Sequence, residues 1–181
     1  MALGFWRKTS SRRKRIITII VFFLIGIIVT CIGTLTPLSK QEAEEINQDL
    51  ENLRENISVQ YIFGNNLLIC LIMFIPIVGP IFGLYALYNT GVVIEAQVVA
   101  ASTTGLSPIL VFFVLFLFPF TWLEFISYST AFAESVWIIR RFAQGLGRKE
   151  IKNTAVLIAI VTILLLVGAV IETVLIQAMA G

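Results

Sequence analysis

The sequence predicts an all-α fold, a polytopic membrane helical bundle of about five transmembrane segments with Pro-broken or re-entrant helices and one short extracytoplasmic amphipathic helix. Three observations predict it. Hydrophobic residues make up 58% of the 181 residues and the mean hydropathy is +0.94, well above the range of a soluble domain. Apolar runs recur along the chain, and the longest, from Pro108 to Arg141, is too long for one straight span. Eleven of the thirteen basic residues gather in two clusters, each ahead of an apolar run.

Those clusters set the expected topology. Arg7, Lys8, Arg12, Arg13, Lys14 and Arg15 precede the first run, and Arg140, Arg141, Arg148, Lys149 and Lys152 precede the last. The positive-inside rule places both in the cytoplasm. Arg12-Arg13-Lys14-Arg15 beside an apolar run reads as a topology signal, so no nucleic-acid partner is expected; the bilayer and other membrane proteins are. Residues 1–15 form a basic cytoplasmic N-terminus and residues 16–179 a single embedded domain. The expected location is the cell membrane, with the C-terminus outside.

Ile16 to Thr36 is free of charge and long enough to span, and the segment after it offers no small-residue cleavage site, so it reads as a retained anchor. Gly26, Thr30 and Gly33 lie on one side of it as a candidate close-packing face. Residues 39–58 follow outside. Ser39 with Glu42 fits a capping box, and Ala43, Ile46, Leu50, Leu53 and Ile57 recur at helical spacing on an otherwise acidic segment. Two heptads are too few for an independent coiled coil, so this stripe is expected to rest on the bundle or the lipid interface. Asn56-Ile57-Ser58 matches a glycosylation acceptor triplet, one frequent by chance.

Tyr61 to Thr104 must cross twice if Arg140 is inside. The one available turn is Pro76-Ile77-Val78-Gly79-Pro80, giving spans of about Tyr61 to Ile77 and Ile81 to Thr103. Pro108 to Arg141 is expected to break at Pro119, which lacks a backbone donor, into an apolar half-helix and a full span. Thr154 to Ala178 is the last crossing.

The chemistry is bounded by what is missing. The chain has no histidine, which excludes Ser-His-Asp and Cys-His catalysis and histidine-ligated zinc or haem. Cys31 and Cys70 fall in different spans and form no CxxC motif. No phosphate-binding glycine loop is present. No enzyme activity, cofactor or metal is therefore expected.

The polar candidates are Glu95, Glu124 and Glu134, with Asn65, Asn66, Tyr88, Asn89 and Pro119. Glu95 shares a helical face with Tyr88, Gly91, Val92 and Ser102; Glu124 shares one with Ser127, Tyr128, Ala131 and Ser135, and Glu134 flanks that stripe. A carboxylate at membrane depth costs several kcal/mol, so each acid needs a partner. Either the three conduct protons or cations through a cleft, or they are neutral and hydrogen-bond neighbouring helices as glue. With no second charge evident, glue is the simpler reading. Glu172, near the outer end of its helix, is expected to snorkel. Glu124, five residues past the break, is expected to face inward and be hydrogen-bonded across the break, with Asn65, Asn66 or Tyr88 as its partner.

Several of these residues carry a resemblance. Phe63-Gly64-Asn65-Asn66 resembles the Phe-x-Asn-Asn that opens the second span of the stage II sporulation protein M family. Asn89-Thr90-Gly91 stands where that family has Asn-Gly, and Pro119-Phe120-Thr121-Trp122-Leu123-Glu124 where it has Pro-His-Gly-x-Leu-Glu. Phe120 and Thr121 replace the His-Gly, Thr90 interrupts the Asn-Gly, and Glu95 stands near a position where glycine is expected; an activity needing that histidine is absent here. The resemblance implies a non-enzymatic membrane component, and in spore-forming bacteria the family supplies a membrane scaffold for cell-wall-remodelling partners. The expectation is a scaffold or assembly protein. A transporter or channel component, or an accessory subunit of a larger membrane enzyme, stands as the alternative.

Overall fold

The computed structural model describes residues 11–54, 58–101, 105 and 107–180. Seven α-helices lie among them: α1 Ser11–Gly33, α2 Lys40–Arg54, α3 Val59–Met73, α4 Val78–Ala101, α5 Pro108–Leu115, α6 Pro119–Ala143 and α7 Gly147–Ala180. Asn56 and Ile57 of the glycosylation triplet, and Ser102 of the Glu95 face, lie outside the described residues.

Three segments are long and apolar enough to cross a membrane: α1, α4 and Glu150–Ala178 within α7. The pair α5–α6 makes a fourth when taken as one broken span. The fifth expected crossing falls on α3, whose 15 residues give about 22 Å of helix against a hydrocarbon core of about 30 Å. Apolar side chains such as Ile28, Leu68 and Ile163 are exposed on the outside of the bundle, the pattern of a surface suited to lipid.

Helix α6 is the centre of the bundle, and α1, α3, α4 and α7 all pack on it. Its buried stretch runs from Ser127 to Ser135 without interruption, which a helix can only do when neighbours cover every side. The expected break at Pro119 is present: α5 and α6 meet at 90°. Proline is suited to the first turn of α6, where a backbone N–H has no acceptor in any case. The carbonyls freed at the end of α5 are met from α6. The Thr121 hydroxyl donates to the Leu115 carbonyl (2.8 Å) and the Trp122 indole N–H to that of Phe116 (2.7 Å). Thr121, one of the departures from the family pattern, thus fastens the corner. Phe23, Phe112, Phe116, Phe125 and Trp122 pack around it with ring centroids 5.1–6.5 Å apart.

The other turn differs from expectation. The helix breaks at Phe74–Ile77, and α4 already begins at Val78, so Gly79 and Pro80 stand inside its first turn. The reason is the one that places Pro119: a proline ring is tolerated at a helix start. Ile77 takes up the reversal with φ 70°, a strained conformation for a β-branched residue. The Ser135 hydroxyl donates to the Ile75 carbonyl (3.0 Å), fastening this turn to α6.

The small-residue face of α1 is real. Gly26, Thr30 and Gly33 are its buried residues, and Gly33 crosses Gly91 of α4 so closely that a Cβ on Gly91 would stand 2.1 Å from the Thr30 carbonyl oxygen. At the end of this crossing, α2 lies against α4. Ala43 is fully buried and Ile46 and Leu50 half-buried, so the apolar stripe rests on the bundle. The Leu53 side chain and Ile57 lie outside the described residues. The capping box forms, with Glu42 accepting from the Ser39 hydroxyl (2.7 Å) and backbone N–H (2.9 Å).

Candidate functional site

Two polar clusters occupy opposite ends of α6, and Glu124 and Glu134 each anchor one. Ten residues separate them, about 15 Å along the helix. The packed rings and methyls of Phe125, Tyr128, Ala131 and Phe132 fill the space between. They do not share a cleft.

The first cluster lies at the α2 end. The Asn66 amide of α3 donates to Glu124 at 2.6 Å, and the Glu172 side chain of α7 lines the same cavity as that carboxyl. The expectation that Glu124 faces inward to an asparagine of α3 is met. The bond runs sideways to α3, and among the described residues Glu124 takes none from the backbone at the break. Glu172 does not snorkel: it turns inward, because a bare carboxyl facing lipid costs more than one facing its own kind. The two carboxyls line a cavity of about 340 Å³ together with Asn65, Tyr61, Tyr128 and Leu50, and Leu50 brings α2 to its edge.

The other expected site residues stand apart from this cavity. The Tyr88 hydroxyl pairs with that of Thr36 (2.8 Å), tying α4 to the end of α1. Asn89 donates to the Tyr85 carbonyl one turn back. Glu95 is half-buried and forms no hydrogen bond or ion pair among the described residues, and it reaches neither carboxyl cluster. Pro119 acts on the backbone alone.

The second cluster sits at the other end, which carries the basic residues. Glu134 is 2% exposed and accepts from Arg15 (2.7 Å) and from the Thr154 hydroxyl (2.6 Å). The same guanidinium bridges to Glu150, also 2% exposed, and Arg141 approaches Glu150 at 3.6 Å. Arg15, Arg140 and Arg141 all place their guanidinium groups 5.1–5.4 Å from the centre of the Trp137 ring, within cation–π range. The reading that Glu134 has no charged partner is therefore overturned. Its partner comes from α1, 119 residues earlier in the chain, a distance that helical periodicity cannot bridge. Glu150 was hidden for another reason: it follows Arg148 and Lys149, so it looks like one more loop charge. It is the acid of the first turn of α7, and among the described residues there its side chain alone turns inward from an otherwise exposed helix end.

Two motifs of the resemblance meet here, since Asn66 belongs to one and Glu124 to the other. The sequence model of the family described as Stage II sporulation protein M matches residues 19–175. The chain belongs to the stage II sporulation protein M family. The match takes in most of α1 from residue 19 and most of α7 to residue 175, as well as the quoted motifs, so every helix that packs on α6 lies wholly or largely within it. Neither the curated proteins nor the solved structures contain a match to the chain.

Proposed function

We propose that this member of the stage II sporulation protein M family is a non-enzymatic scaffold or assembly subunit of the cell membrane, with its basic end in the cytoplasm and α2 outside. The observation that carries the reading is the separation of the acids. Glu134 and Glu150 are engaged by arginines at one end, Glu124 by Asn66 at the other, and packed apolar side chains lie between. A relay needs titratable groups or water in sequence; this arrangement instead ties α1, α3 and α7 to α6. The absence of histidine from the chain supports a role without catalysis. The exposed acidic face of α2, carrying Glu44, Glu45 and Asp49, offers a surface for other membrane or membrane-associated proteins.

Chemical crosslinking in native membranes followed by partner identification tests this. A stable partner whose retention falls with charge reversal on α2 (Glu44→Lys with Asp49→Lys) supports the scaffold. A monodisperse protein without partners contradicts it. If the partner is an enzyme that loses activity without this chain, the role narrows to accessory subunit. The orientation is tested by cysteines placed at Gln41 and Gly147 with Cys31 and Cys70 replaced; from outside, Gln41 labels and Gly147 does not. A second reading rests on the cavity beside Glu124 and Glu172, which is large enough for a small cation or a few waters; in that reading the protein is a transporter component.

A further inference from the structure

At the basic end, α1 and α7 each pack on α6 but not closely on one another. A cleft of about 540 Å³ remains between them. Its floor is α6 at Thr130 and Ala133, two small side chains that leave depth. Its walls are Ile16 and Ile19 of α1 and Val156 and Leu157 of α7. Ile16 is 51% and Val156 59% exposed, on segments long and apolar enough to cross a membrane, so the cleft opens sideways toward lipid.

The mouth of the same cleft is cationic. Arg12, Arg15 and Arg141 line it with one acid, Glu134, which is engaged by Arg15 and Thr154; Glu150, just outside the lining, bridges to Arg15 and stands 3.6 Å from Arg141. Three donors remain for an incoming acceptor. Arg12 is exposed and forms no ion pair among the described residues. The Arg141 Nε is buried, stands 3.6 Å from a Glu150 carboxylate oxygen and makes no hydrogen bond. Trp137 lines the cleft, and its indole N–H, whose nitrogen is not fully buried, has no acceptor among the described residues. A buried donor without an acceptor is costly, and a phosphate oxygen supplies one.

We propose that this cleft binds one anionic phospholipid, with the phosphate between Arg12 and Arg141 and an acyl chain between α1 and α7. A soluble phosphate compound would leave the apolar walls unoccupied, and a zwitterionic lipid would bring its own cation to a cationic mouth. Basic pockets between membrane helices that open to lipid suit acidic head groups. Bound there, the lipid would fill the space between α1 and α7 beside the Arg15–Glu150 ion pair that already links them. The proposal is independent of the scaffold role.

The test uses the full chain purified in mild detergent and titrated with short-chain phosphatidylglycerol, short-chain phosphatidylcholine or inorganic phosphate, with the thermal midpoint as readout. Phosphatidylglycerol is expected to raise the midpoint saturably and the other two to leave it nearly unchanged. Arg12→Gln should raise the half-saturating concentration about fivefold, the effect of losing one cation near the head group. Val156→Trp, at an exposed wall position, should fill the cleft and abolish the saturable rise. Equal stabilisation by phosphate would mean that only the anion is read, and equal stabilisation by phosphatidylcholine that the head group is not; either overturns the proposal. Wild-type titration curves in both variants would overturn it as well.

Discussion

Replacing Arg15 with methionine removes the one guanidinium that contacts both Glu134 and Glu150. Each of those carboxyls is 2% exposed, while Arg15 itself is 19% exposed. After the substitution Glu134 keeps only the Thr154 hydroxyl, and Glu150 keeps Arg141 at 3.6 Å, outside hydrogen-bonding distance. Breaking a buried ion pair from one side costs about 3–5 kcal/mol, because the remaining charge must be desolvated alone or take up a proton. At roughly 2–4 °C per kcal/mol for a chain of this size, the thermal midpoint in mild detergent should fall by about 6–20 °C. Arg12→Met, at an exposed position of the same helix, should stay within about 0.5 kcal/mol of wild type. Adding Glu134→Gln to Arg15→Met should recover part of the loss, with a coupling of about 1–3 kcal/mol in the double-mutant cycle. If Arg15→Met is no more harmful than Arg12→Met, or the cycle shows no coupling, the ion cluster does not hold α1 to α6.

Three further outcomes follow from the other contacts. Glu124→Gln should be mild in the same thermal assay, since an amide can still pair with Asn66, whereas Glu124→Leu should lose about 1–3 kcal/mol for each buried group left unpaired; equal midpoints would remove Glu124 from the account. Gly91→Ala should lower yield and stability by about 1–3 kcal/mol or more, because the obstruction is the Thr30 carbonyl at 2.1 Å, which no rotamer relieves; a normal midpoint would refute the close crossing of α1 and α4. The hydrogen bonds from Ser39 hold Glu42 below its ordinary value of 4.5. Its contribution is therefore complete above that value and is lost as pH falls through the lower, folded one. Amide-exchange protection in the first turn of α2 should follow this course and lose it in Ser39→Ala; an unchanged profile would refute the capping box.

Much of the fold was legible because it rests on local signals. The break at Pro119 follows from a missing donor, the rest of α2 on the bundle from its apolar period, and the small face of α1 from Gly26, Thr30 and Gly33. The first turn was misplaced by a few residues because proline and glycine mark both loops and helix starts, and Pro80 marks a start. The candidate site was half legible. Asn66 and Glu124 were found through polarity at membrane depth and through the resemblance. Glu172 was missed because position along a helix does not reveal which way a side chain turns. Arg15 and Glu150 were missed because each reads as an ordinary flanking charge; only the meeting of three helix ends makes them a buried network.

The claim at the centre of this account is that the intramembrane acids bind helices together and do not carry protons. Proton flux into liposomes containing the purified protein alone, driven by an imposed pH gradient and membrane potential, tests it most directly. Flux no greater than in empty liposomes is expected for wild type, Glu124→Gln and Glu134→Gln alike. Flux well above that level in wild type, abolished in Glu124→Gln while the variant remains folded, would contradict it.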